Sequence, residues 1–429
     1  MKKIKSIYIV LIAVVILAAA VYFLFQVLRK PVEWTPENSL FPVSAPDIAD
    51  RGDAESLIRA IDQSLRYFEK LAQKEQSPEI LFSFGKEKVS LEQAKESLLD
   101  FKARLQDYGL TETFFRYVKQ NYRFYRSAAK RVLFTGYFEA DLRGSLTPSG
   151  VYRYPLYRKP DDLYRVDLSQ FSFYRDFKGL PRVLRGRLSV NRTIIPYYTR
   201  EEIDYQGKLA GQGLEIAWID DPIDVFFLHI QGSGIIQLDT GETLRISYEE
   251  SNGHPYRAIG GLLVRQNILS YENMSMQSIR AYLEAHPEQV RDIFCYNPGY
   301  VFFRVVDEGP LGSLDVPVTA YRSIATDRYL FPEGALCYIE TLLPVFNEEK
   351  QVVRWERYER FVLNQDTGGA IRTPARVDLF TGYGEKSRLV AGHLKAQGTF
   401  YFLTEKKNPT SYSRIDEQEV GSPVRVPAR

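Results

Sequence analysis

From about Arg131 onward the apolar residues stop recurring every three to four positions and begin to alternate, and this change of period limits the fold more than any other feature. Upstream, Leu57, Ile61, Leu65 and Phe68 share one helical face behind Asp53, a suitable N-cap. Ser90 and Gln93 form a capping box ahead of Leu91, Ala94, Leu98 and Phe101. Downstream, Val132-Leu-Phe-Thr-Gly-Tyr-Phe138, Ile216-Ala-Trp-Ile219, Val225-Phe-Phe-Leu-His-Ile230 and Gly234-Ile-Ile-Gln-Leu238 read as strands separated by Gly, Pro and Asp turns. A short helix is predicted from Ser275 to Ala285, ahead of Pro287, with further strands through Leu403. The chain is therefore expected to be mainly β with N-terminal helices. Thr404 to Arg429 is polar and without periodicity, and reads as a disordered tail.

The N-terminus addresses the compartment. Lys2, Lys3 and Lys5 precede an unbroken apolar run from Ile7 to Phe25, close to the roughly 20 residues that span a bilayer. A cleaved signal would end its apolar core sooner, whereas Ala18-Ala19-Ala20 is followed by Val21 to Phe25. An uncleaved signal anchor over residues 1–30 is the favoured reading, with everything after Lys30 outside the cytoplasm. Pro31 to about Pro46 then reads as an extended linker, assigned to residues 31–49. A net charge of +2, from 56 basic and 54 acidic residues, gives no field for nucleic acid. Four scattered histidines and two cysteines, Cys295 and Cys337, show no metal-site spacing, so neither a metal nor another cofactor is expected. Each cysteine reads as a small buried apolar residue, with a single disulfide between them left open.

Chemistry concentrates near the C-terminus, where Asp366-Thr-Gly-Gly-Ala-Ile and Arg376-Val-Asp378-Leu-Phe place two carboxylates on neighbouring strand-like runs. Gly368 and Gly369 allow a turn of positive φ or close approach to a ligand. The apolar neighbours of Asp378 suit a buried strand, and a poorly solvated carboxyl there would have a raised pKa, as a general acid needs. The same residues also suit a solvated hairpin with two surface aspartates. The 29 tyrosines and 26 phenylalanines offer flat faces for sugars, although most such rings fill cores.

Several segments in consistent order, between about Arg131 and Leu403, resemble the membrane-bound lytic murein transglycosylase A family. They are Thr135-Gly-Tyr137, Tyr154-Pro-Leu-Tyr157, Ile216-Ala-Trp-Ile-Asp-Asp-Pro222, Gln231-Gly-Ser-Gly234, Asn252-Gly-His-Pro-Tyr256, Asn297-Pro-Gly-Tyr-Val-Phe-Phe303 and a C-terminal three-Asp domain containing Asp327, Asp366 and Asp378. The resemblance implies a double-psi β-barrel formed by residues 50–139 and 314–405, an inserted second β domain over 140–313, and a groove between them. It implies that peptidoglycan glycan strands are the substrate and that Asp378 is the catalytic acid/base, supported by Asp366. Thr135, Gly136, Tyr137, Gln231, Ser233 and Asp327 are candidate substrate contacts; the same residues also suit turns and strand ends without a ligand, and Asp327 a structural role. Further implied partners are the membrane, through the N-terminal helix, and cell-wall synthesis or division machinery on the periplasmic side. Two departures stand out: no N-terminal cysteine is present to be acylated, and Arg372-Thr373 replaces the common Lys-Gly.

A single acid can suffice for such a reaction, because the C6 hydroxyl of N-acetylmuramic acid can attack C1 of its own ring and no positioned water is needed. Asp366 would then orient strands or raise the pKa of Asp378 by like-charge proximity. Two rivals remain at this level. Asp-Thr-Gly occurs twice, at Asp239 and Asp366, as in aspartic proteases, although the first copy sits between hairpin-like strands. A noncatalytic protein that binds the cell wall would use the same groove.

Overall fold

The computed structural model describes residues 32–73, 80–172, 174 and 181–406. The expected anchor helix and the tail beyond residue 406 lie outside them. Among the described residues no helix is long and apolar enough to cross a membrane.

The N-terminal helices form as their caps dictate. Asp53 accepts the Ser56 N–H at the start of the Ala54–Ala72 helix, and the Ser90/Gln93 capping box opens Leu91–Tyr108. Phe101 of the second helix packs edge-on against Phe114, Tyr122 and Phe361, which fastens the helices to the β structure. The fastening is also ionic: Asp50 and Arg322, with side chains 0% and 2% exposed, pair at 2.6 Å. Arg322 donates further to Ser56 Oγ and to the carbonyls of Asp53 and Phe361, so the buried charges are fully engaged.

Two expectations are corrected. The stretch assigned as a linker is partly structured: Pro36–Ser39 makes a helical turn, and Leu40–Val43 pairs antiparallel with Tyr122–Ser127. Leu40 supplies the reason, since its side chain is buried and the pairing satisfies its backbone. Val225–Ile230 belongs to a helix, Pro222–Gln231, not to a strand. Asp221 caps it, Pro222 takes its first turn, and Gly232, at φ 83°, ends it in the left-handed conformation. Its apolar run is continuous because it is buried on almost every side.

The described strands form a 13-stranded sheet and two small ones. Within the large sheet the pairing returns on itself. Lys395–Glu405 pairs with Leu336–Phe346, which pairs with Val352–Thr367; next come Ser323–Thr326, Arg376–Tyr383 and Val132–Ser145, which pairs again with Lys395–Glu405. Val132–Ser145 is the crossing strand. Its residues from Leu133 to Glu139 run parallel to Arg376–Tyr383, whereas Ala140 to Gly144 run parallel to Ser233–Leu238. Gly136 lies under the Glu385–His393 helix, where an added Cβ would come within 2.7 Å of Ala391 Cα; close helix-on-strand packing accounts for a glycine here.

Beyond the crossing, Phe138, Leu142, Ala217, Leu228, Ile236, Ile246 and Phe303 belong to a second core. Asp239-Thr-Gly241 forms the exposed turn between Ser233–Leu238 and Thr243–Ser251, as the hairpin reading expects. Both cysteines are free thiols, Cys337 buried and Cys295 partly so.

Candidate active site

Three adjacent strands bring the two C-terminal carboxylates into register. Ala325, on the middle strand, faces Asp366 on one side and Asp378 on the other, and Thr135 of the crossing strand faces Asp378 from beyond. Two strand spacings put the Asp366 and Asp378 Cα atoms roughly 10 Å apart.

Strand alternation sets the surroundings of Asp378. Val377 and Leu379 point into the core and are fully buried, while Arg376 and Asp378 share the opposite face. The expected oily pocket is therefore on the wrong side of the strand. Asp378, 15% exposed at its side chain, is instead gripped by an arginine fork: Arg376 Nε lies 2.9 Å from Oδ1 and Nη2 3.1 Å from Oδ2. Thr135 Oγ1 donates to Oδ1 and accepts from Arg376 Nη2 at 3.3 Å, which closes the triad. Arg376 Nη1 also reaches the Ala370 carbonyl, tying the fork to the preceding loop.

Asp366 has the environment expected of its neighbour. Desolvation pushes its carboxyl up from 3.8 to about 6, even though the N–H groups of Thr367 and Ser313 both donate to Oδ1 and pull the other way. Both carboxylates act on Tyr137. Its buried hydroxyl is pushed well up, first by burial, then by the charge of Asp366 and more weakly by that of Asp378. The hydroxyl faces the Asp366 carboxyl, and its ring packs on Phe380 with centroids 5.2 Å apart.

The other predicted contacts are dispersed around this centre. Asp327 is buried, and its two oxygens accept the N–H groups of Tyr329 and Thr373, so it fastens the 372–375 loop. In that loop the positive φ falls on Thr373, at 72°, and not on Gly368 or Gly369. Gln231 Oε1 accepts the Phe138 N–H at 3.0 Å, where the crossing strand changes partners. Ser233 is buried in the ladder opposite Ser247.

Sequence reasoning gave no role to Arg376 or Glu139. Arg376 could have been found from its i−2 spacing to Asp378, which places both on one strand face. Glu139 was signalled by its place between the apolar Phe138 and Ala140 of the crossing strand. It is 2% exposed, paired with Arg245 at 3.2 Å, and raised by burial to about 6 against the pull of that arginine. A separate cavity of about 790 Å³, bordered by Tyr321, Tyr358 and Arg360, includes none of the predicted site residues. Two of the cations at its edge are paired, Lys350 with Glu385 and Arg360 with Asp50.

Comparison with known proteins adds to this geometry. Residues 133–304 match the family model described as the MltA specific insert domain, and residues 322–404 match the 3D domain. A relative from Vibrio cholerae, membrane-bound lytic murein transglycosylase A, is 32% identical over 284 residues, 65% of this chain and 67% of the relative. Among solved structures, a membrane-bound lytic murein transglycosylase from Agrobacterium tumefaciens superposes with a TM-score of 0.70 at 29% identity, covering 86% of this chain and 98% of that one. Escherichia coli MltA with bound chitohexaose shares the fold, with a TM-score of 0.61 at 23% identity over 86% of this chain and 95% of that one.

Proposed function

The chain belongs to the membrane-bound lytic murein transglycosylase A family, and on that premise we propose that it cleaves the β-1,4 bond between N-acetylmuramic acid and N-acetylglucosamine in peptidoglycan, leaving a 1,6-anhydromuramic acid end. The observation that carries the assignment to Asp378 is its seat, a carboxylate fixed on a strand face by Arg376 and Thr135. Each carboxylate oxygen can accept about two hydrogen bonds. Oδ1 already receives two, from Arg376 Nε and Thr135 Oγ1, whereas Oδ2 receives one, from Arg376 Nη2. Oδ2 is the atom with a free lone pair, and it carries the proton in this mechanism. That proton passes to the glycosidic oxygen as the C1–O4 bond breaks. The C6 hydroxyl of the same muramic acid closes on C1 and returns its proton to Oδ2. Asp366, Tyr137 and Asp327 hold the surrounding strands and loop.

The architecture is read in the same way. The self-closing ring of strands supports a double-psi β-barrel built from residues 50–139 and 314–405, and the change of partners at Ala140 supports an inserted domain over 140–313, with the glycan groove between them. A solved relative carries chitohexaose, an oligomer of the same kind of sugar, which supports a saccharide in that groove. The lysines before Ile7–Phe25 and the relatives' designation as membrane-bound support an anchor, with the groove on the periplasmic side. Recruitment by cell-wall synthesis or division machinery belongs to the same proposal.

The test is digestion of purified peptidoglycan followed by mass spectrometry of the muropeptides. Anhydro ends are expected; products one water heavier would make the enzyme a hydrolase. Asp378→Asn is expected to lower turnover by about 10²–10⁴-fold or more while glycan binding remains. Undiminished turnover in that variant would place the acid elsewhere.

A further inference from the structure

The chain passes to its second core along the crossing strand and returns by the segment after Val305, and one side chain touches both passages. It is Arg245, on Thr243–Ser251. Its Nε lies 3.2 Å from Glu139 Oε1 on the outgoing strand, and its Nη1 donates to the Gly309 carbonyl at 2.7 Å on the returning segment. The Arg245 carbonyl accepts the Val306 N–H as well. Three residues beyond Gly309 the returning segment reaches the carboxylates: a Cβ at Gly312 would stand 2.5 Å from the Gln365 carbonyl oxygen and 3.4 Å from Asp366 Cγ, and the Ser313 N–H donates to Asp366 Oδ1 at 2.9 Å. On the outgoing side, Glu139 lies four positions along the strand from Thr135, which holds Asp378. One guanidinium thus joins the strand that carries Thr135 to the segment that caps Asp366.

Other grips on the returning segment lie at the surface. Arg66 pairs with Glu308 and Lys70 with Asp315, all four side chains more than a third exposed, and such pairs hold weakly. Glu139 is of another kind, because a carboxylate out of water keeps its charge only beside a cation. The second core also meets the Glu385–His393 helix, where Gln277 Nε2 donates to the Arg388 carbonyl at 3.2 Å. Arg245 supplies a further attachment, and two attachments resist a rotation that one would allow.

We propose that Arg245 is a positioning residue for the transglycosylase reaction: by tying the outgoing strand to the returning segment it holds the second core in one orientation to the strands that bear Asp366 and Asp378. The inference rests on the function proposed above. A guanidinium suits the task because its planar fork donates to a carboxylate and to a carbonyl at once, which a compact ammonium does less well. The tolerance is small, since a misplacement of about 1 Å in what positions a substrate can cost on the order of 10² in rate.

Orientation and turnover are read separately, with the full chain in detergent. Spin labels at Leu99→Cys and Leu184→Cys, both exposed positions, report the separation of the two parts by double electron–electron resonance in a Cys295→Ser background. Turnover of peptidoglycan, as kcat and KM, is measured for the same Arg245 variants without labels. Glu139→Gln with Arg245→Met removes the tie without stranding a buried charge, and Arg245→Lys, which keeps a cation beside Glu139, carries the test if the double variant does not fold. The double variant is expected to broaden the distance distribution and to lower kcat/KM by about 10–100-fold, with Arg245→Lys between it and the parent in both. A parental distribution in either variant overturns the inference, and so does a broadened one with undiminished turnover. The two readings fail differently: hydrolytic products or an active Asp378→Asn defeat the proposed reaction and leave the distances untouched, whereas unaltered distances defeat only the tie.

Discussion

Replacing Asp366 by asparagine is expected to stabilise the protein at neutral pH, because the fold holds this carboxyl in its less favoured charged state. Oδ1 receives both backbone donors, from Thr367 and Ser313, so an asparagine placed with its carbonyl oxygen there keeps both backbone bonds while the charge is removed. The folded carboxyl titrates near 6 and the unfolded one near 3.8. A raised acid of this kind costs the fold nothing well below pH 4; as pH rises toward 6 the unfolded chain gives up its proton first and stability falls. The loss amounts to about 3 kcal/mol once both states are ionised. Urea unfolding of Asp366→Asn and parent should therefore differ by up to about 3 kcal/mol at pH 7.5, the variant being the more stable, and by less than about 1 kcal/mol at pH 4. A difference independent of pH, or a variant less stable at pH 7.5, would refute the reasoning. The first outcome would mean a neutral packing effect, and the second that the charge is needed to hold the two N–H groups.

Two further substitutions probe how the site is supported. Asp50→Ala leaves Arg322 buried and unpaired and should cost about 3–5 kcal/mol in urea unfolding, and adding Arg322→Met should restore part of that loss. Thr373→Gly should raise the melting temperature slightly, by the equivalent of about 0.5–1 kcal/mol; it relieves a β-branched residue at φ 72° while the backbone bond from position 373 to Asp327 is kept.

Local signals were legible in the chain where local chemistry decides structure. The caps at Asp53 and Ser90, the helix after Ser275 and the hairpin at Asp239-Thr-Gly241 all form as their residues suggest, because each is satisfied within a few positions. Val225–Ile230 was misread because an all-round apolar run has no period, and the deciding evidence, Asp221-Pro222 before it and Gly232 after it, lay at its ends. Leu40–Val43 was missed because its partner is more than 80 positions away in sequence, roughly the length of a small domain. At the site, burial was assigned from the neighbours of Asp378 in sequence, Val377 and Leu379, which strand geometry turns to the opposite face. The desolvated carboxyl is Asp366, beneath the returning Ser313 segment, and no run of residues near it announces that contact.

The bond between Thr135 and Asp378 joins positions 243 apart. A ribosome delivers Thr135 early and Asp378 close to the end, so the hydroxyl waits for its carboxylate until nearly the whole chain has been made. Nascent or shortened copies that lack the final strands carry the threonine without the carboxylate it holds. On the mechanism proposed above, in which Asp378 cuts the mesh that keeps a bacterium from bursting, that order of assembly withholds the edge until the final strands are in place.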